Sequence, residues 1–376
     1  MAVGIVAEYN PFHNGHKYQI EQAKKLTGDD TAVVVMSGSF VQRGEPALCS
    51  KWARAEMALK SGADLVVELP VCFAVRSAEF FACGAIKILN ALNVQSVAFG
   101  SETADIKRLC EAANVLKSET PAHSEIIKSY IEQGLSYPSA VSKTFPEYGD
   151  IIGQPNNMLA VEYIKAGAKN PVPVLRKGAM HDGGFSGEFA SASYIRSHID
   201  CAREYMPEDA YNILQREIAE NRCSPDYEKL SDIALARLRC ERPENLENIC
   251  DVTEGIENRI IKFSKEVSSL DCLYDRVKTK RFTHARIRRI VMNYLLGITR
   301  DLEKCEPQYV RVLASDKKGF LLLKECTLPV ITKTAGFKNK MFEKEVYATD
   351  LYSLLFDDES MRIGGKDFTT SPIIKQ

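Results

Sequence analysis

The chain has 376 residues, is 45% hydrophobic and 26% charged, and carries a formal net charge of -1. That length allows two cores needing neither disulfide nor metal. No apolar run approaches the roughly eighteen residues of a membrane-spanning helix, which excludes a membrane role, and a balance this near zero excludes nucleic-acid binding through overall charge.

Residues 2–7 are continuously apolar and follow Met1 with no basic leader or small-residue cleavage site. They read as a buried strand and not a signal peptide, so a cytoplasmic protein is expected. After a turn, 15–26 carries helical spacing through Tyr18, Ile20 and Ala23. The alternation continues: strand at 32–36, helix at 51–60, strand at 63–69 stopped by Pro70, helix at 78–92, and strand at 96–99 ending in Gly100 and Ser101. Near-continuous apolar strands separated by helices predict an α/β fold, with a Rossmann-like parallel sheet covered on both faces.

A helix from about 193 to 204 closes this region, so the expected domains are 1–205 and a mainly helical 206–376. The second contains helix-length stretches at 209–220 and 229–238, then a basic run, Arg276, Lys278, Lys280, Arg281, Arg286, Arg288 and Arg289, leading into an apolar helix with Ile290, Val291, Tyr294 and Leu295. A strand at 309–313, a helix near 318–324 and a strand at 329–332 follow. Eleven cysteines are scattered from Cys49 to Cys326 without the two-residue spacing of zinc or redox sites, so they read as reduced thiols and no metal site is expected.

The most informative segment is Glu8, Tyr9, Asn10, Pro11, Phe12, His13, Asn14, Gly15, His16, between the first strand and first helix. Ligands of open parallel sheets bind beyond the strand carboxyl ends, where the following helix offers unpaired N–H groups to an anion. His13 and His16 are then either caps, a metal pair, or donors to charge growing on phosphorus oxygens. A second motif, Ser191, Ala192, Ser193, Tyr194, Ile195, Arg196, places hydroxyls at a helix start with an Arg one turn in. Such a run serves as an ordinary N-cap or as a cradle for outer phosphates.

The two motifs together resemble the HIGH-motif nucleotidyltransferase superfamily. With Met36 to Ala47, Lys51, Trp52, Ala53, Arg54 and Phe99 to Glu102, the chain is similar over nearly its full length to the bacterial tRNA(Met) cytidine acetate ligases. The resemblance implies an enzyme that activates acetate with ATP as acetyl-adenylate and acetylates N4 of wobble cytidine 34 of elongator tRNA(Met). It implies an ATP site lined by Val6, Ala7, Glu8, Tyr9, Asn10, Pro11, Phe12, His13, Asn14, Gly15, His16, Lys17, Tyr18 and Gln19, with Gly100, Asn157, Arg176, Lys177, Ser191, Ser193 and Arg196. Whether Asn156 or Asn157 is the ligand stays open. Ala160, Ser193 and Ser50 depart from the family pattern, and the loop between Asn157 and Arg176 is short.

Catalytic roles are expected for His13 and His16, with pyrophosphate leaving toward Ser191, Ser193 and Arg196. Arg43 and Lys51 are either cations that neutralise phosphate or acetate charge, or members of ion pairs with Glu45 or Glu56. His181 and Asp182, beside Gly183 and Gly184, belong either to a loop near the site or to a solvated one. Magnesium is expected on the phosphates without a dedicated protein cage. The run from Arg276 to Arg289, with Phe282, His284 and Tyr294 as stacking groups, is either a solvated helix face or the tRNA surface. Neither a membrane nor an obligate protein partner is implied. The alternative is an adenylyltransferase acting on a small phosphorylated cofactor precursor.

Overall fold

The computed structural model describes residues 1–135, 137–177, 185–303 and 305–375. The opening run forms β1 (Ala2–Ala7), followed by α1 (Asn14–Thr27), β2 (Thr31–Ser37), α2 (Lys51–Lys60), β3 (Leu65–Leu69), the helix Ala78–Ala91 and β4 (Ser96–Ser101). After five α-helices, of which the last is Pro155–Lys165, comes β5 (Pro171–Leu175). β3, β2, β1, β4 and β5 lie side by side in that order, all parallel. Along β2, Val33 and Val35 enter the core on one face while Ala32, Val34 and Met36 enter the other. Burial on both faces is why these strands read as unbroken apolar runs.

A short hairpin pairs β6 (Phe185–Ser186) with β7 (Phe189–Ala190). The expected 193–204 helix is three pieces, Ala192–Ser197, a 3-10 turn Ile199–Cys201 and Ala202–Tyr205. Beyond it the chain is mainly helical, as predicted. It also returns to the sheet: β8 (Val310–Ser315) pairs antiparallel with β3, and β9 (Val330–Ile331) and β10 (Ile373–Ile374) pair with β8. The sheet therefore crosses the 205/206 boundary expected from sequence.

A buried charge cluster fastens this return. Lys51 Nζ lies 2.7 Å from both Glu68 and Asp367, and Arg311 bonds the same two carboxylates. Burial pushes the nearby Glu345 carboxyl well above its usual range, with Glu68 adding to the rise, so Glu345 joins as a neutral acid accepting from the Val71 amide. Two cations then face two carboxylates, the arrangement under which buried charges are tolerated.

Candidate active site

The strand order turns at β1, which has β2 on one side and β4 on the other, so chain progression reverses between β1 and β4. A crevice opens at such a point, beyond the strand carboxyl ends. The loop after β1 and the start of α1 occupy it.

His13 is the N-cap of α1: its Nδ1 accepts from the Gly15 amide at 3.1 Å, while the His13 amide donates to His16 Nδ1 at 3.2 Å. The rings stack with centroids 3.7 Å apart. A neutral imidazole whose Nδ1 accepts carries its proton on Nε2. Both rings are kept neutral: burial, helped by Arg176, lowers His13 to about 3, and burial, His13 and Arg176 hold His16 well below its usual value. Capping and phosphate donation are therefore compatible, since the caps use Nδ1 and leave Nε2–H free. Gly15 makes this geometry possible. A Cβ there would fall 2.9 Å from His13 Cε1 and drive the ring away.

The two rings form a wall shared by two clefts. One, a partly open hollow, is lined by Tyr18, Gln19, Gly100, Leu175, Arg176, Lys177 and Phe189. Lys177 lies over the Tyr18 ring at 4.7 Å, and Tyr18 meets Phe189 edge-on. The other, of about 1500 Å³ and open to solvent, is lined by Glu8, Asn10, Arg43, Glu45, Glu102, Asn156, Arg176, Ser191, Ser193 and Arg196. Ser191 caps the helix Ala192–Ser197 through the Tyr194 amide, and its hydroxyl is 3.0 Å from that of Ser193. Arg196 reaches across to the Asn10 carbonyl at 2.7 Å, joining the second motif to the first. Arg43 is exposed on the cleft and makes no ion pair among the described residues.

Several expected contacts are corrected. Lys51 is fully buried in its ion pairs with Glu68 and Asp367 and cannot reach a substrate; neither Glu45 nor Glu56 is its partner. Tyr9 and Phe12 are core residues whose rings pack under His16 at 4.7 and 5.6 Å, so they support the site and do not line it. Pro11 is buried, Lys17 faces a separate hollow with Lys24 and Lys60, and Asn14 donates to the Glu188 carbonyl at 3.0 Å. Val6 and Ala7 are the half-buried end of β1. Asn157 is buried, its Oδ1 accepting from the amides of Glu102 and Thr103, whereas Asn156 lines the cleft and accepts from Arg176. His181, Asp182, Gly183 and Gly184 lie outside the described residues.

The basic run divides. Lys278, Lys280 and Arg281 are exposed, and Arg276 is exposed with Glu266 as its ion-pair partner and the Phe263 ring beneath its guanidinium. Arg286 instead donates to the Asp251 carbonyl, Arg288 pairs with Glu45 and Arg289 with Asp251. Phe282 and Tyr294 are buried and unavailable for base stacking; His284 sits 3.1 Å from Asp275.

Sequence reasoning assigned no role to Arg54. Its buried guanidinium donates to the carbonyls of Glu8, Ser37, Gly38 and Cys49, clamping the loops after β1 and β2 together. The signal was an Arg flanked by Trp52, Ala53 and Ala55 within the helix Lys51–Lys60.

Paired neutral imidazoles at the start of the first helix, at the turning point of a parallel sheet and facing a Ser-Arg motif, define a HIGH nucleotidyl transferase; the family model of that description matches residues 1–367. Among similar proteins are the tRNA(Met) cytidine acetate ligase of Thermoanaerobacter sp. (strain X514), 40% identical with 99% of each chain covered, and that of Caldanaerobacter subterraneus subsp. tengcongensis, 41% identical over 100% of this chain and 99% of the other. The crystal structure of Thermotoga maritima TmcAL bound with alpha-thio ATP superposes with a TM-score of 0.90 at 33% identity, covering 99% of each chain; its apo form gives 0.91 at 34%. The chain belongs to the tRNA(Met) cytidine acetate ligase family.

Proposed function

We propose that this enzyme activates acetate with ATP as acetyl-adenylate and transfers the acetyl group to N4 of wobble cytidine 34 of elongator tRNA(Met), in the cytoplasm. The observation that carries the reading is the pair of uncharged imidazoles, with no partner on either Nε2 among the described residues, on the wall between the two clefts. Adenosine is assigned to the smaller cleft, where Tyr18, Phe189 and Lys177 offer ring faces and a cation. The triphosphate then crosses the His pair into the larger cleft. An acetate oxygen attacks the α-phosphorus, and His13 and His16 donate to the oxygens on which charge grows. Pyrophosphate departs beside Ser191, Ser193 and Arg196, with Arg43 and Arg176 neutralising charge.

Magnesium on the phosphates would supply further charge neutralisation beside Arg43, Arg176 and Arg196. Among the described residues no group of three His, Cys, Asp or Glu side chains is arranged to hold a metal. The exposed Arg276, Lys278, Lys280 and Arg281 are the proposed tRNA contacts, since phosphate contacts supply most of the affinity for nucleic acid.

The test is to incubate the protein with labelled acetate, ATP, magnesium and bulk tRNA. Label in RNA that requires both ATP and protein is the expected result. The alternative, an adenylyltransferase acting on a small phosphorylated cofactor precursor, predicts no label in RNA and pyrophosphate exchange with a different acceptor. The names of the relatives favour the ligase.

A further inference from the structure

Three carboxylates line the larger cleft, and two have their partners. Glu102 accepts from the side chain and amide of Asn156 and from the amide of Asn157. Glu45 is paired with Arg288. Glu8 differs: Oε1 is held at 2.8 Å by the Gln42 amide, and the other oxygen has no hydrogen bond or ion pair among the described residues. The carboxylate is thus fixed by one oxygen and presents the other.

A carboxylate facing a cleft built for phosphates is electrostatically unfavourable unless it meets a hydrogen-bond donor. Phosphate oxygens and the acetyl group offer none. An amine does. We propose that Glu8 receives the proton from the attacking exocyclic amine of the cytosine in the second half-reaction, an inference that rests on the proposed acetyl transfer. The N4–C bond forms as the acyl C–O bond to the adenylate breaks; the bonding electrons leave with AMP, and one N4 proton passes to Glu8. Burial pushes the Glu8 carboxyl above its ordinary value, opposed by the nearby Arg43, Arg54 and Arg196. A carboxyl raised in this way is a stronger base.

Two half-reactions separate this role from others. Acetate-dependent exchange of labelled pyrophosphate into ATP reads the first; single-turnover transfer from synthetic acetyl-adenylate to tRNA reads the second. Glu8→Gln keeps an oxygen for the Gln42 amide but cannot take the proton. Its transfer rate is expected to fall about 100-fold, at least tenfold more than its exchange rate, with Glu8→Asp intermediate in transfer. Equal losses in both half-reactions would overturn the proposal, as would a rise in the magnesium needed for exchange, which would mark Glu8 as a metal ligand, or undiminished transfer. If Glu8→Gln does not fold, Glu8→Asp must show the same imbalance between half-reactions. A wild-type enzyme without acetate-dependent exchange would instead refute the acetate reading itself.

Discussion

Gly44 lies directly against the main chain of Arg288: a Cβ on Gly44 would come within 2.9 Å of the Arg288 carbonyl carbon and 3.0 Å of its oxygen. The loop that carries Arg43 is thereby seated on the helix His284–Leu296, whose first turns hold Arg286, Arg288 and Arg289 of the basic run. Gly44 also has φ +74°. Gly44→Ala should cost roughly 1–3 kcal/mol and slow pyrophosphate exchange by moving Arg43. Gly28 is the control, with φ +73° and nothing within 4 Å of a Cβ. Gly28→Ala should show only the conformational part in urea unfolding and leave exchange intact.

Lys51 and Arg43 separate stability from chemistry. Removing a partner from a buried ion pair costs about 3–5 kcal/mol, so Lys51→Ala should shift the urea midpoint severely. Arg43→Ala, at an exposed site with no ion pair among the described residues, should change stability by less than about 0.5 kcal/mol while slowing adenylation about 100-fold. Urea titration and pyrophosphate exchange on the same preparations check both.

His13 makes stability depend on pH. In the unfolded chain it protonates near its ordinary 6.5, but in the folded protein only near about 3, because burial and Arg176 oppose the charge. Between these values the unfolded state binds more protons, so the stabilisation is complete above about 6.5 and drains away as pH falls toward about 3. His13→Gln retains a capping acceptor without a titrating group. Its urea midpoint should fall less steeply than that of the wild type between about pH 7 and pH 5; parallel slopes would contradict the assignment.

The divided basic run predicts a division of phenotypes. Replacing Lys278, Lys280 and Arg281 together by Ala should weaken tRNA binding and reduce the salt slope of log K by about two, since each phosphate contact contributes roughly 0.7–0.9. Arg288→Ala and Arg289→Ala should lower thermal stability instead, through loss of Glu45 and Asp251 as partners. Filter binding across a salt series, with melting curves alongside, distinguishes the two sets.

The doubly covered sheet and both nucleotide motifs were legible because their signals are local. β1 and α2 begin and end where apolar periodicity places them, and His13, Gly15 and His16 declare the helix start. What escaped depends on contacts between distant segments. Val310–Ser315 reads as a strand, yet nothing near it says that it pairs antiparallel with β3. Lys51 has the look of a surface cation because its partner Asp367 is more than three hundred residues away in sequence. Asn156 and Asn157 are neighbours of one type, and only the turn of their helix sends one to the cleft and the other to the backbone of Glu102 and Thr103.

The two imidazoles of His13 and His16 carry the proposed chemistry. Acetate-dependent pyrophosphate exchange should be measured for His13→Ala, His16→Ala and the double variant, with tRNA affinity and unfolding followed in parallel. Each single loss should slow exchange about 100-fold or more, and the double variant should lose it almost completely while still binding tRNA as a folded protein. Wild-type exchange in the folded double variant would contradict the account.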